Sequence, residues 1–248
     1  MLSLKKIRQL QQKKYRYEYR QFLVEGVKGV QEALAAKRVR LLMIEESKQQ
    51  LLHTLIMDAA QQGIEIRIVS AKDAESVKTT ETFAGVLAVC DMTSASLADV
   101  AGTVICLDTL QDPGNVGTII RTADWFGVSH ILLSENCVDP YNEKTVRSSM
   151  GSLFHVQLYQ STNIIQDVGY LQKQHGYQVH GLTLHGRPLS PDIVFSVRDC
   201  LVFGSESHGL SSDLEKMLHA RYTIPGIGQA ESLNVAIAAG IVLSRVSL

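Results

Sequence analysis

The sequence lacks the features that mark membrane, secreted and metal-binding proteins. No apolar run approaches the roughly 18 residues of a membrane span, and the first 20 residues lack the apolar core of a secretion signal. The four cysteines stand far apart without a CxxC pair, and the eight histidines show no HxxxH or HExxH spacing. We therefore expect a cytoplasmic protein with no disulfide framework, no protein-bound metal and no membrane association.

The usual nucleotide-binding fingerprints are missing as well. The stretch DPGNVGT (112–118) lies between a strand-like segment and a helical one, an arrangement that often binds a phosphate. It matches neither GxGxxG nor GxxxxGK[ST], and no acidic residue stands where a ribose contact would be expected. A nucleoside triphosphate ligand is thereby disfavoured.

What is present is the composition of an ordinary globular protein with a basic end. Of the 248 residues, 45% are hydrophobic and 20% are charged. Residues 1–40 hold eleven Lys or Arg against three acidic residues, a net charge of +8 in a chain whose total is −1. Cations of this end alternate with tyrosines, which suits binding of phosphates and stacking on unpaired bases. The candidate RNA contacts here are Lys13, Lys14, Arg16 and Arg20. The alternative is a solvated, partly disordered helical arm.

Hydrophobic periodicity divides the rest of the chain into two α/β series. After a basic arm over 1–20, residues 21–90 predict a small α/β domain, and the small, polar stretch 91–103 reads as a linker. Within the first series we predict helices over 21–37 and 49–62 and strands over 39–46, 64–70 and 83–91.

The second series, 104–248, predicts a mostly parallel sheet covered by helices on both faces. Its predicted strands are 104–108, 130–134, 154–159, 178–184, 199–206 and 221–225, and its predicted helices lie near 115–126, 162–175, 211–219 and 231–246. Three Gly-containing loops follow three of these strands. Because ligands of such sheets bind at the carboxyl ends of the strands, the loops suggest one composite site.

Each loop carries a polar candidate and a structural alternative. Asn115 and Arg121 could hold an anion at a helix start, or be a cap and a surface residue. Glu206 in FGSESHGLS could organise its loop, contact a substrate or be merely solvated. Ser232 and Asn234 begin a helix of small residues, which permits close approach of a ligand or simply tight packing.

In combination, the segments NVGTIIRTA, FGSESHGLS and IPGIGQAESLNVA closely resemble, in order and spacing, the three motifs of the SpoU/TrmH-type RNA ribose methyltransferases of the SPOUT superfamily. The resemblance covers about 105–248, including VDPYNEKTVRSSMGSLFHV, in which Arg147 is a further candidate RNA contact. It extends more weakly to FLVEGVKGVQEAL, which resembles the start of the family's RNA substrate-binding domain.

The resemblance implies a homodimeric enzyme that transfers a methyl group from S-adenosylmethionine (SAM) to a ribose 2′-hydroxyl of rRNA or tRNA. It also implies that the C-terminal part of the sheet domain is tied in a deep trefoil knot. The implied cofactor residues are Gly204, Ile224 and Leu233, with Thr183 as a neighbour. The implied catalytic residues are Asn115, Arg121, Glu206, Ser232 and Asn234.

Two questions stay open at the level of sequence. Arg121 matches the family's general base, but an arginine could equally clamp an RNA phosphate and stabilise the developing alkoxide. The competing functions are a non-catalytic RNA-binding or ribosome-assembly protein with the same fold, and an RNA base methyltransferase. For the dimer, we expect the interface on exposed faces of the helices that begin near 115 and 231.

Overall fold

The computed structural model describes residues 2–205 and 209–246, which form two compact units. The N-terminal unit contains the residues up to Thr93 together with Asp139–Phe154, and the C-terminal unit contains Ser94–Val138 and the residues from His155 onward. The predicted domain boundaries stay predictions. No helix within the described ranges is long and apolar enough to cross a membrane.

Helices and strands alternate along most of the chain. The α-helices are α1 Leu4–Gln9, α2 Lys13–Tyr19, α3 Val27–Ala35, α4 His53–Gln61, α5 Ala71–Glu75, α6 Pro113–Trp125, α7 Glu143–Ser148, α8 Ile164–His175, α9 Ser212–Glu215 and α10 Val235–Leu243. The strands are β1 Gln21–Glu25, β2 Val39–Glu45, β3 Glu65–Val69, β4 Val86–Asp91, β5 Val104–Leu107, β6 His130–Leu133, β7 Gln157–Gln160, β8 Gln178–Pro188, β9 Asp199–Phe203 and β10 Ala220–Thr223.

The N-terminal unit is built on a four-stranded mixed sheet in the order β1-β4-β2-β3, in which only β2 and β3 run parallel. The predicted single helix over 21–37 is wrong in its first part, because residues 21–25 form β1. An apolar triplet such as Phe22 to Val24 fits either a helix or a buried strand. Antiparallel pairing with β4 stabilises the strand here. Gly26, with φ +99°, then turns the chain into α3.

The first 20 residues are helical and packed against this sheet. Ser3 caps α1 by accepting a hydrogen bond from the Lys6 amide. Ile7 and Leu10 are fully buried and belong to the same hydrophobic cluster as residues of β1, β2 and β4. The basic end is thus part of the folded unit rather than a detached arm.

Residues 139–154 complete the N-terminal unit. The ring of Phe22 on β1 packs against Tyr141 at 4.8 Å and Phe154 at 6.1 Å between ring centroids. Gly151, with φ +99°, lies so close to Glu32 of α3 that a Cβ would be 2.4 Å from the Glu32 Cγ atom. The sequence did not predict α7, which is only six residues long.

The C-terminal unit contains the predicted parallel sheet, with six strands in the order β10-β8-β9-β5-β6-β7. Its inner strands β5 and β9 are buried along their whole length and apolar except for Asp199 at the start of β9, as expected of parallel strands covered by other elements. The α/β class is confirmed, while the trefoil knot stays a prediction. Because all six strands share one direction, their carboxyl ends lie along one edge.

Candidate functional site

Four sequence segments meet at the carboxyl edge of the C-terminal sheet. Asp108 follows β5, Gly204 follows β9 and Ile224 follows β10, and the strand register places Thr183 of β8 level with Gly204. Since β10, β8, β9 and β5 are adjacent in that order, Asp108, Gly204 and Thr183 lie side by side, while Ile224 follows a register shift after which Thr223 pairs with Pro188 of β8. The structure therefore brings three of the four predicted cofactor residues to one edge.

Gly204 must be a glycine because the chain folds back on it. A Cβ atom at this position would lie 2.2 Å from the carbonyl oxygen of Gly209 and 2.7 Å from the amide nitrogen of Leu210. Ser205 and Gly209 exchange two backbone hydrogen bonds, of 3.0 and 2.9 Å. Backbone groups therefore crowd the end of β9. The predicted catalytic residue Glu206, and His208 beside it, lie outside the described residues.

Asp108 is a buried carboxylate at this edge that our sequence analysis did not single out. Its Oδ2 atom accepts a hydrogen bond of 2.8 Å from the Ser211 amide, and its own amide donates to the carbonyl oxygen of Phe203. Asp108 thus joins the end of β5 to the chain that returns after Gly209. The signal in the sequence was an acidic residue placed directly after the apolar run VICL.

The first motif forms the start of α6. Asp112, not Asn115, is the N-cap: its Oδ1 atom accepts a 2.8 Å hydrogen bond from the Asn115 amide, and Pro113 opens the helix. The interpretation of Asn115 as the cap is therefore wrong, and its side chain makes a different contact. Arg121, two turns further along, is exposed.

The third motif contacts the first through a pair of asparagines. Asn234 caps α10, its Oδ1 atom accepting from the amides of Ala236 and Ile237. Its Nδ2 atom donates a 2.9 Å hydrogen bond to Oδ1 of Asn115. Two predicted site residues that are 119 positions apart are thereby joined, as the helices α6 and α10 pack on each other. Ser232, just before this cap, is exposed.

The residues of this edge fit a nucleoside cofactor that is held mainly by main-chain groups of the protein. Gly204 and Ile224 directly follow the ends of β9 and β10, and Thr183 lies level with Gly204 within β8. Half-buried Ile224 and exposed Leu233 offer apolar surface. Such a site can hold SAM without the conventional glycine fingerprint.

The cysteines offer no nucleophile to this site. All four are buried thiols. Burial raises the pKa of Cys137, and a hydrogen bond to Cys200 together with burial raises the pKa of Cys106. Because the thiolate is the reactive form, both thiols are inert near neutral pH. Among residues 2–205 and 209–246 there is also no cluster of three His, Cys, Asp or Glu side chains suited to a metal ion.

Four of the five predicted RNA contacts lie on the surface of the N-terminal unit. Lys13 and Lys14 are exposed, with their Nζ atoms 5.8 and 5.7 Å from the ring centroids of Tyr17 and Tyr15. Arg147 is exposed on α7. Arg20 is also exposed and donates a hydrogen bond of 3.1 Å to the carbonyl oxygen of Thr93, fastening the end of α2.

Arg16 is the exception, because its side chain is only 3% exposed. Its Nε and Nη2 atoms lie 2.8 and 2.6 Å from Oδ2 of Asp139, whose Oδ1 atom accepts from the Tyr17 hydroxyl and the Tyr141 amide. A guanidinium engaged in this way cannot meet an RNA phosphate. We therefore leave Arg16 out of the candidate RNA surface.

The fold and site define an α/β protein whose candidate ligand site combines three distant loops at the edge of a parallel sheet. The model of the SpoU rRNA methylase family matches residues 102–244, and the model of the MRM3-like substrate-binding domain matches residues 2–88. The chain belongs to the SpoU rRNA methylase family. At the level of the family, the prediction of a SAM-dependent RNA methyltransferase is confirmed.

Individual relatives are similar to this chain over nearly its whole length. A protein of Bacillus subtilis (strain 168) named 23S rRNA (guanosine(2553)-2′-O)-methyltransferase RlmP is 35% identical, over 97% of this chain and 94% of its own. A solved structure from Porphyromonas gingivalis, assigned to the TrmH family of RNA methyltransferases, is 36% identical with a TM-score of 0.87, covering 99% and 98% of the two chains. An AdoMet-bound rRNA methyltransferase from Sinorhizobium meliloti is 31% identical with a TM-score of 0.83, covering 98% and 92%.

Proposed function

We propose that the protein methylates a ribose 2′-hydroxyl of ribosomal RNA, with transfer RNA as the second candidate substrate. The observation that carries this proposal is the Asn115–Asn234 hydrogen bond, which assembles the first and third motifs beside the strand ends that fit SAM. The name of the B. subtilis relative, a 23S rRNA 2′-O-methyltransferase, supports both the ribose and the ribosomal substrate.

In the proposed site, the residues of the C-terminal unit divide into two groups. Gly204, Ile224 and Leu233, with Thr183 beside them, would hold SAM, which supplies an electrophilic methyl group when bound. Polar side chains of the motifs would hold the ribose. These are Asn115, Arg121, Ser232 and Asn234, and Glu206 is proposed with them on the resemblance alone.

The chemistry asks the protein to align a hydroxyl oxygen with a methyl carbon and to help a weak acid lose its proton. The ribose oxygen would form a bond to the methyl carbon, the electron pair of the broken carbon–sulfur bond would stay on sulfur as a neutral thioether, and the hydroxyl proton would pass to solvent water. Arginine side chains stay protonated in proteins. We therefore assign exposed Arg121 to the RNA phosphate and the developing alkoxide rather than to proton abstraction.

The proposal is tested by mapping ribose methylation in total RNA from cells with and without the protein. One or a few sites should lose the 2′-O-methyl mark, and adding back the Arg121→Ala variant should not restore it. Lys173→Ala, which removes an exposed cation from α8 of the same unit, serves as the control and should restore it. Loss of a methylated base with intact ribose marks would instead identify a base methyltransferase.

The Arg121→Ala variant should still bind SAM in calorimetry, because Arg121 is placed on the RNA side of the site. If the wild-type protein gave no detectable heat of binding at millimolar SAM, this result would favour the alternative of a non-catalytic RNA-binding protein. If the Arg121→Ala variant methylated RNA at the wild-type rate, the proposed role of Arg121 in the site would be wrong.

We further propose a homodimer formed through α6 and α10 of the C-terminal unit. Ile237 and Ile241 occur one turn apart on α10 and are 57% and 37% exposed, and Trp125 at the end of α6 is 84% exposed. Large apolar side chains at such exposure on two packed helices are typical of an interface with another copy. This location agrees with the faces expected from the sequence.

A further inference from the structure

The N-terminal unit contains a cavity that the catalytic proposal does not use. Its volume is about 320 Å³, near the lower end of the roughly 300–1,000 Å³ typical of small-molecule sites. Four segments line it: the end of β1, the first turn of α3, the loop 79–84, and α7 with the turn after it. A cavity of this size can admit one nucleotide but not a duplex.

One part of the lining is apolar and accessible. Val27 at the start of α3 and Met150 after α7 are 38% and 42% exposed, and Leu23 and Val146 add buried apolar surface. Accessible apolar side chains on the walls of a cavity offer a contact for a flat ring, which is the part of a nucleotide that most needs shielding from water.

A second part is cationic. Lys28 on α3 and Arg147 on α7 both line the cavity and are exposed, and within residues 2–205 and 209–246 neither forms an ion pair. The N-cap of α3 is Gly26, which provides no side-chain acceptor for the first-turn amides. These amides add partial positive charge to the same wall.

The two acidic residues of the lining are already engaged. The carboxylate of Glu25 accepts hydrogen bonds from the Thr79 amide at 2.6 Å, the Thr79 hydroxyl at 2.7 Å and the Thr80 hydroxyl. Glu143 lies 3.8 Å from the guanidinium of Arg16. Glu25 therefore fixes the loop 79–84 as a wall, while the side chains of Lys28 and Arg147 remain exposed to a ligand.

We propose that this cavity binds one unpaired nucleotide of the RNA substrate, with the base against Val27 and Met150 and the phosphate beside Lys28 and Arg147. The inference rests on the proposed function, because it assumes that RNA is the substrate. The N-terminal unit would then recognise a nucleotide that is not base-paired. A double-stranded stem would not present a base to a cavity of this size.

Binding of a fluorescent single-stranded oligouridylate and a blunt RNA duplex of equal length tests the proposal with the full-length protein. Met150→Ala should weaken binding of the single strand by about 5- to 100-fold, the range expected for loss of a base contact, and Arg147→Gln should weaken it by removing a phosphate contact. Binding of the duplex should change much less. Equal losses of affinity for both RNAs would indicate that the cavity residues bind phosphates without regard to base pairing, and would overturn the proposal.

Matched control variants distinguish an effect of the cavity on RNA binding from the general effect of removing a cation or an exposed apolar side chain. Lys144→Gln removes a cation from the same helix without touching the lining, and Leu51→Ala removes a well-exposed apolar side chain of the same unit. Both should bind the single strand like the wild type. Thermal unfolding of each variant checks that the fold is intact.

Photo-cross-linking with 4-thiouridine in the oligonucleotide gives a readout that does not depend on a variant. Cross-linked peptides should contain residues 23–29, 79–84 or 143–151. Cross-links confined to other peptides would overturn the proposal even if methylation mapping succeeds. Conversely, cross-links in these peptides without any RNA methylation would leave the nucleotide site standing and contradict the proposed catalysis.

Discussion

At the scale of single residues, Gly204 is the position where local geometry and proposed chemistry depend on each other most closely. The glycine allows the chain after β9 to return within 2.2 Å of where a Cβ would be. A side chain here would displace the Ser205–Gly209 pairing, and with it the backbone at the end of β9 that belongs to the proposed SAM site.

We expect Gly204→Ala to lower SAM affinity at least about tenfold, because a contact that short forces the backbone to move. Isothermal calorimetry measures the change. Gly169→Ala on α8 is the control: its Cβ would be 3.5 Å from the Met217 Cε atom, an ordinary contact, and alanine favours a helix. Wild-type affinity in Gly204→Ala would place the cofactor elsewhere.

Asp199 makes a residue-scale prediction about pH. Burial raises the pKa of its carboxyl group, but hydrogen bonds from His180 and Ser196 outweigh burial and leave the pKa below its ordinary value. A lowered folded-state pKa stabilises the protein above the unfolded pKa of about 3.9, and this stabilisation is lost as pH falls through the folded value.

Asp199→Asn should therefore be less stable than the wild type at pH 7, and the difference should shrink as the pH falls from about 5 toward 3. Urea unfolding across this range measures it. Asp213→Asn, which removes an exposed carboxylate paired with Lys216, should change stability by less than about 1 kcal/mol throughout. A pH-independent difference for Asp199→Asn would contradict the assigned cause.

The sequence predicted residue types better than residue contacts. Asn234 stands directly before an apolar helix, where asparagine is a common cap, and it caps α10 in the structure. The bond from Asn234 to Asn115 depends on the packing of α6 against α10, which no local pattern encodes. The prediction of Arg16 as an RNA contact was wrong for the same reason, because its ion-pair partner Asp139 is 123 positions away in sequence.

At the scale of elements, α10 is a helix without a polar face. Its nine residues, VAIAAGIVL, contain no charged or hydroxyl side chain, yet Ile237 and Ile241 are exposed in the single chain. A helix that is apolar all round is normally buried. This unmatched face supports the proposed homodimer.

Ile237→Glu should convert the proposed dimer to a monomer at micromolar concentration, because a carboxylate buried in an apolar interface has no partner. Sedimentation velocity measures the change. Val194→Glu, which alters an equally exposed apolar residue outside α6 and α10, is the control and should leave the dimer intact. A wild-type monomer would refute the interface directly.

Strands could be predicted better than short helices. All six strands of the parallel sheet were located, because β5, β6 and β9 are largely apolar runs and turn residues or helical segments separate the others. The helices α5 and α7 have five and six residues, too few to establish a helical period. They are stable because of packing rather than intrinsic helix preference.

At the scale of the whole molecule, the chain contributes to the N-terminal unit twice. Residues 139–154 belong to this unit although residues of the C-terminal unit flank them on both sides in sequence. The predicted boundary at 103/104 came from composition, which cannot show that a later segment packs with an earlier one. The buried ion pair between Arg16 and Asp139 is the clearest polar link between the two segments.

Asp139→Ala should destabilise the N-terminal unit by about 3–5 kcal/mol, because it removes the close counter-charge of the buried Arg16 guanidinium and leaves Glu143 at 3.8 Å as its remaining acidic neighbour. Hydrogen exchange should show protection lost together in α2 and in residues 139–154, while β5 and β6 stay protected. Arg16→Met combined with Asp139→Leu should recover much of the loss, since an apolar pair removes the unpaired charge. Arg40→Ala, which breaks the exposed pair with Asp91, should cost less than about 1 kcal/mol. If residues 139–154 exchanged instead with β5 and β6, the segment would fold with the C-terminal unit, and the two-segment organisation of the N-terminal unit would be wrong.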